Sequence, residues 1–245
     1  MGKENIIYGI RAILESIEVE KTINKVYLQK GISGDLFREL ESVLRKKKIN
    51  ISYVPIERLN RFTQNNHQGA VASISPVGYY NFEKLAEKIL NEVDHPLFLL
   101  LDGVSDVRNF GAIIRTAECT GVNAIIVPKT GSAPINSDTV KTSAGAAFNV
   151  PITKVDHLKD AIYYLQASGI AIVAATEKGG DTLYETDLKK GCAIIMGAED
   201  KGISDSILRL ADSQPKLPIV GKIGSLNVSV ACGVFLYEVL RQRLG

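Results

Sequence analysis

Cysteine is scarce in this chain, and what there is lies scattered. Cys119, Cys192 and Cys232 are the only three in 245 residues, far apart and each in an apolar setting. They cannot all pair with one another, so a disulfide framework is excluded and reduced core thiols of a cytosolic protein are expected. His67, His95 and His157 are as dispersed, which leaves no metal-ligand spacing and no expected metal. No apolar run approaches the roughly 18 residues a membrane span needs. The opening Met-Gly-Lys-Glu-Asn lacks a signal-peptide pattern, so a cytoplasmic protein without membrane contact is expected. No Gly-x-Gly-x-x-Gly follows a strand and no Gly-x-x-x-x-Gly-Lys-Ser/Thr occurs, which disfavours the usual dinucleotide and nucleoside-triphosphate sites.

What is present is an ordinary globular composition, 45% apolar and 23% charged, enough for one large domain or two small ones. The net charge of +2 conceals an asymmetry. Residues 1–75 carry 12 Lys+Arg against 8 Asp+Glu, a balance of +4, and the remainder carries 17 against 19, a balance of −2. That split hints at a front half that faces nucleic acid.

Along the chain, Ile10, Ile13, Leu14 and Ile17 have the spacing of one helix face within residues 7–17. A strand at 25–29, a helix at 35–48, a strand at 49–56, a short helix at 57–62 and a strand at 69–74 complete a small α/β domain. The cations Arg45-Lys46-Lys47-Lys48 fit either a helix C-terminus, where the macrodipole favours them, or contact with RNA. The polar loop Thr63–Gln68 fits either a solvated turn or hydrogen bonding to bases. Pro76 to Pro96 reads as a connector with one charged helical stretch, Phe82 to Glu92, which sets domains at 1–76 and 96–245 with a linker at 77–95. From Leu97 onward, uninterrupted apolar strands alternate with helices, the pattern of a parallel sheet covered on both faces. The strands are expected at 97–101, 124–127, 150–155, 170–175, 193–196 and 217–220, with a helical stretch around Ser137–Ala147.

Ligands of such sheets bind outside the carboxyl ends of the strands. The loops there, 102–111, 176–181, 197–202 and 221–227, hold Asn109, Glu199, Ser225 and Asn227, with Arg115 one and a half turns into the helix after the first. Apolar neighbours on both sides of Arg115 argue for partial burial and a fixed anion partner. Ser225 and Asn227 stand where the last helix should begin, so each is also a candidate N-cap. These residues mark a polar cluster at one sheet edge and leave the reaction open.

Three motifs close that gap. Asp102-Gly-Val-Ser-Asp-Val-Arg-Asn109-Phe-Gly-Ala-Ile-Ile-Arg115 resembles the first motif of the SpoU (TrmH-like) RNA 2′-O-ribose methyltransferases. Ile195-Met-Gly197-Ala-Glu199-Asp-Lys-Gly202 is similar to their second, and Leu217-Pro-Ile-Val-Gly221 through Ser225-Leu-Asn227-Val-Ser to their third. Tyr8-Gly-Ile-Arg-Ala-Ile-Leu-Glu and His67-Gln-Gly-Ala-Val-Ala resemble a ribosomal-protein-L30-like substrate-binding domain that many members carry. One departure stands out, because Val107 occupies a position where the family usually has proline.

The resemblance implies a methyl transfer from S-adenosylmethionine to a ribose 2′-hydroxyl of RNA, with a guanosine of 23S rRNA as the target. A transfer RNA substrate, or a relative that binds rRNA without methylating it, are the alternatives. It implies catalytic roles for Arg115, Asn109, Glu199, Ser225 and Asn227, and cofactor contacts from Thr176, Gly197, Leu217 and Leu226. It also implies a deep trefoil knot, where general rules alone suggest an unknotted sheet. A homodimer is expected through the C-terminal helix, Val228 to Arg243, which is apolar nearly all round. Residues 96–245 are expected to bind S-adenosylmethionine alone and to methylate RNA poorly.

Overall fold

The computed structural model describes residues 6–245, so the opening five residues lie outside the description. Contacts divide the chain into two compact units. One reaches to Gly78 and takes in Pro134–Asp138; the other holds Tyr79–Ala133 and Thr139–Gly245.

The first unit is a mixed sheet in the order β1 (Ile6–Tyr8), β4 (Ala70–Ile74), β2 (Ile23–Gln29), β3 (Ile51–Val54). β4 runs antiparallel to both neighbours and β2 parallel to β3. α1 (Ile10–Glu18) and α2 (Asp35–Lys46) bury Ile13, Ile17, Leu40 and Leu44 against Val26 and Leu28 on one face. On the other face the short α3 (Ile56–Asn60) sets Leu59 over Val54 and Val71. The helical spacing read over 7–17 begins only at Ile10, because Gly9, at φ 90°, turns the chain from β1 into α1. His67 is buried in its loop, with Nε2 2.9 Å from Asn60 Oδ1 and Nδ1 accepting from Gly69 N at 3.0 Å.

The second unit opens with α4 (Phe82–Glu92), the helical stretch expected within 77–95, and it packs on the sheet rather than standing free of it. Ile89 belongs to the same core as Phe98, Leu100, Ile126 and Ile195, and Phe82, Leu85 and Leu90 pack against it. The sheet is entirely parallel, in the order β7 (Ile152–Val155), β6 (Ala124–Pro128), β5 (Leu97–Asp102), β9 (Cys192–Gly197), β8 (Ala171–Ala174). α7 (Leu158–Ala167) covers one face, and α5 (Val107–Cys119) and α9 (Val228–Leu244) pack together. Two expectations fail here. The run 137–147 is not one helix: α6 spans Ser137–Thr142, and Ala144 and Gly145, at φ 51° and 87°, break it before a 3₁₀ turn at Ala146–Phe148. Leu217–Val220 forms no strand, because Ser213 and Lys216 already bridge to Val173 and Thr182, and the chain then leaves with Ile219 and Val220 exposed.

The thiols divide as well. Cys192 and Cys232 are buried, which pushes them up to about 11 and about 12, whereas Cys119 is exposed at the end of α5, against expectation. α5 ends there, with Ala117 turned into the core and Glu118 and Cys119 turned out.

The polar end of α9 is tied down. Arg243 donates to the carbonyls of His95, Lys190 and Leu188 at 2.7, 2.7 and 3.3 Å. Gln242 donates to Thr186 O and accepts from Leu188 N, at 2.9 and 2.8 Å. Glu238 is only 6% exposed and takes two 2.8 Å bonds from Arg241, which hold its carboxyl below the usual range. No helix among the described residues is long and apolar enough to cross a membrane.

Two outcomes are expected. A fragment beginning at residue 79 melts well above one beginning at 96, since losing α4 removes several side chains worth about 1.5–3 kcal/mol each when fully buried; paired thermal melts check this. Stability from Glu238 is present above its unfolded pKa of about 4.3 and is lost as pH falls through the lower folded value. Glu238→Gln therefore lowers the melting temperature at pH 6, by an amount that shrinks as the pH falls through that lower value.

Candidate active site

The strand order reverses between β5 and β9. The chain builds β5, β6 and β7 outward in one direction, then returns to place β9 and β8 on the other side. At such a switch point the two loops diverge and leave a crevice. Asp102 pairs with Gly197 in register, so the loops after β5 and β9 start side by side, and Ser204 N donates to Asp102 Oδ2 at 2.8 Å.

Asp106 caps α5, accepting from Arg108 N and Asn109 N at 2.9 and 2.8 Å. The helix then begins at Val107, the first helical position, where a missing N–H costs nothing and proline is favoured. Valine fills it without disturbing the helix, so the departure from the family motif leaves Asn109 in place. Gly111 is required by packing, since a Cβ there would stand 2.6 Å from Thr142 Cβ.

Asn109, Glu199 and Asn227 meet in a triangle of side chains from three loops. Asn109 Nδ2 donates to Glu199 Oε2 at 3.0 Å. Asn227 Nδ2 donates to Asn109 Oδ1 at 3.0 Å and to Glu199 Oε1 at 3.3 Å. Asn227 Oδ1 caps α9 by accepting from Ser229 N at 2.9 Å. Glu199 is thus an exposed carboxylate whose two oxygens both serve the amides of the other loops. Of the two candidate caps, Asn227 is the cap, and Ser225 stays free of that duty in an exposed stretch.

Beside the triangle lies a cavity of about 360 Å³ lined by Thr176, Gly197, Leu217 and Leu226, with Glu199 and Ser225 also on its wall. Its size and apolar lining from Leu217, Leu226 and Phe235 fall within the range of small-ligand sites. Gly197 has a local reason to be glycine, since a Cβ would stand 2.1 Å from the Gly202 carbonyl carbon across the turn closed by Ala198 and Gly202. Thr176 is buried, with Oγ1 accepting from Lys178 N at 3.3 Å. A second cavity of about 330 Å³ opens on the other side of the triangle, between Ser105, Asp106, Asn109 and Asp200.

Arg115 is not brought in. It is exposed, lines neither cavity, and among the described residues forms no ion pair or side-chain hydrogen bond, which overturns its expected partial burial. Its apolar neighbours Ile113, Ile114 and Ala117 turn inward at helical spacing and leave position 115 on the outer face. Sequence reasoning also passed over Asp106 and Asp102, whose roles as cap and loop tie were signalled only by their places flanking the first loop. No group of three or more His, Cys, Asp or Glu side chains among the described residues is placed to hold a metal ion.

Residues 96–237 match the SpoU rRNA methylase family, and residues 6–80 match the family of RNA 2′-O ribose methyltransferase substrate-binding domains. The chain belongs to the SpoU family of RNA 2′-O-ribose methyltransferases. A 23S rRNA (guanosine-2′-O-)-methyltransferase, RlmB, of Pseudomonas aeruginosa is 35% identical over 99% of this chain and 98% of its own length. The protein of that name from Vibrio cholerae is also 35% identical, over 98% and 97%. The crystal structure of the SpoU methyltransferase AviRb from Streptomyces viridochromogenes, in complex with the cofactor AdoMet, shares the fold at a TM-score of 0.63 and 22% identity, over 99% and 91%.

Breaking the triangle has a defined expected cost. Asn227→Ala removes the cap of α9, worth about 0.5–2 kcal/mol, and frees the third loop from the other two. Asn227→Ser restores a cap oxygen but cannot reach Glu199. Melting of the serine variant should stay close to wild type while methyl transfer falls with that of the alanine variant.

Proposed function

We propose that this protein methylates the ribose 2′-hydroxyl of a guanosine in 23S rRNA, working in the cytosol as a homodimer. The observation that carries the reading is the cavity that joins the second and third motif loops beside the switch point of the sheet, tied to the first motif by the Asn109–Glu199–Asn227 triangle. Full-length similarity to enzymes named for that activity supports the substrate. S-adenosylmethionine, when bound there, supplies an electrophilic methyl group on a sulfonium. Thr176, Gly197, Leu217 and Leu226 hold it by backbone groups and apolar contact, and the cavity's volume and lining suit it. Asn109, Glu199 and Asn227 keep the three loops in register, and Ser225 orients the ribose. Much of the rate then comes from alignment of the hydroxyl with the methyl donor.

Arg115 binds the phosphate beside the target ribose and stabilises charge that develops on the 2′-oxygen. An arginine stays protonated below about pH 12, so its part is that of a donor. Its exposure in one chain fits a site completed by a second copy, with Arg115 of one protomer serving the cavity of the other. α9 supports the same reading: Val228, Cys232, Phe235, Leu236 and Val239 are buried, while Val230 and Tyr237 stay more than half exposed. A trefoil knot in this region belongs to the same reading. Residues 213–216 are bridged to β8 on one side and to Asp181 and Leu183 on the other. Gly179 passes so close that a Cβ would stand 1.6 Å from Gln214 O. This close packing of residues 176–183 on 213–216, with α9 returning to α5, supports a trefoil knot. The first unit, with the +4 balance of residues 1–75, is an L30-like RNA-binding domain that reaches to the segment before α4.

Arg115→Ala should abolish single-turnover methyl transfer and leave calorimetric S-adenosylmethionine binding unchanged, and Arg115→Lys should fail almost as fully. Mixing Arg115→Ala with Ser225→Ala under subunit exchange should restore about a quarter of wild-type activity, because half the dimers are mixed and each has one complete site. No recovery would place the site within one chain. Mapping 2′-O-methylated positions in rRNA and tRNA from cells with and without the protein tests the substrate, and a tRNA signal alone would overturn it.

A further inference from the structure

We propose that Lys25, Tyr27 and Arg58 form a phosphate clamp by which the first unit grips an unpaired stretch of its RNA substrate; this rests on the reading of the protein as an rRNA methyltransferase. The location follows from strand alternation. Val26 and Leu28 of β2 enter the core under α1 and α2, so Lys25 and Tyr27 stand on the opposite face. That face is only partly roofed, because α3 has five residues and covers Val54 and Val71 with Leu59. The Tyr27 ring packs against Phe62 with centroids 4.7 Å apart. Two cations share the ring: Lys25 Nζ lies 5.5 Å from its centroid and Arg58 Cζ 5.8 Å.

The choice of a ring as their seat has a consequence. Arg38, Lys88, Lys129 and Arg241 each stand on a carboxylate that neutralises them. Lys25 and Arg58 form no ion pair among the described residues, so each keeps its full charge for a ligand. A ring fixes a cation by about 0.5–1 kcal/mol at an exposed site and does not cancel its field. Two positive charges gathered on one ring also repel each other, and an anion between them relieves that cost. An RNA phosphate is an anion of that kind.

Unpaired RNA is favoured over duplex by what lies next to the clamp. Tyr8 and Tyr27 both pair with Val71, one from each side, so the two tyrosines stand in a row across the same face. Tyr8 is 37% exposed, and its hydroxyl accepts from Asn65 Nδ2 at 2.8 Å, which steadies the ring. Aromatic rings on an open sheet face stack splayed bases, which a duplex does not offer. Basic charge beside a half-open aromatic row matches phosphates and bases together.

The test uses the full-length protein and an unmethylated 23S rRNA transcript. Lys25→Ala/Arg58→Ala should raise the Kd about tenfold and make the slope of log K against log salt shallower by about 1.4, the share of two contacts to single-stranded phosphates. Lys46→Ala/Lys47→Ala removes the same charge from the end of α2 and should change Kd by less than about threefold. Tyr27→Phe should bind like wild type; Tyr27→Leu, with both charges present and its melting temperature checked, should lose most of what the double variant loses. S-adenosylmethionine binding should be unaffected throughout. A double variant with wild-type Kd and slope, or equal losses from the two charge pairs, overturns the clamp alone. A wild-type protein that neither binds nor methylates the transcript overturns the substrate reading and the clamp with it.

Discussion

The pairing of β5 with β9 at the centre of the second unit is the contact on which the rest depends. Six register pairs, from Leu97 with Cys192 to Asp102 with Gly197, run through strands whose residues are almost all buried. Two strands separated by some ninety residues of chain are thereby held in one alignment, because a slip of one residue would turn every buried side chain to the opposite face. The polar residues that follow each strand inherit that alignment. Asn109 and Glu199 come within 3.0 Å because their strands end level with each other.

The triangle they form with Asn227 is exposed, and its bonds are individually modest in water. Its effect is to remove freedom from three loops at once, which fixes one wall of the cavity. A partner surface laid over it would exclude water and strengthen each bond. Arg115 stands on the outside of α5, because the helix puts its apolar neighbours Ile113, Ile114 and Ala117 inward.

The two units handle polar groups differently. In the second, long-range ties such as Arg243 to the carbonyls of His95, Leu188 and Lys190 hold the end of α9 in place, and the buried carboxylate of Glu238 is bonded at both oxygens. In the first, cations lean on a tyrosine ring and a small sheet face is left half open. The first arrangement favours a rigid frame and the second a surface that meets an anion.

Local sequence determined the elements of this protein, because the forces that make them act over a few residues. Apolar runs such as Leu97–Leu101 and Ala193–Met196 announced buried parallel strands, and the order of three motif loops announced the family. The break at Gly9, the packed rather than linking α4, the missing strand at Leu217–Val220 and the outward Arg115 were decided by tertiary structure. Each depends on a partner distant in the chain: Ile89 needs the core around Phe98, and Leu217 follows residues already taken by β8. Flanking apolar residues suggested burial for Arg115, yet at helical spacing those same neighbours turn inward and carry position 115 out. Which residues share a loop was written in the sequence; which loops share a site depended on strand order, and strand order is set by how the whole sheet buries its two faces.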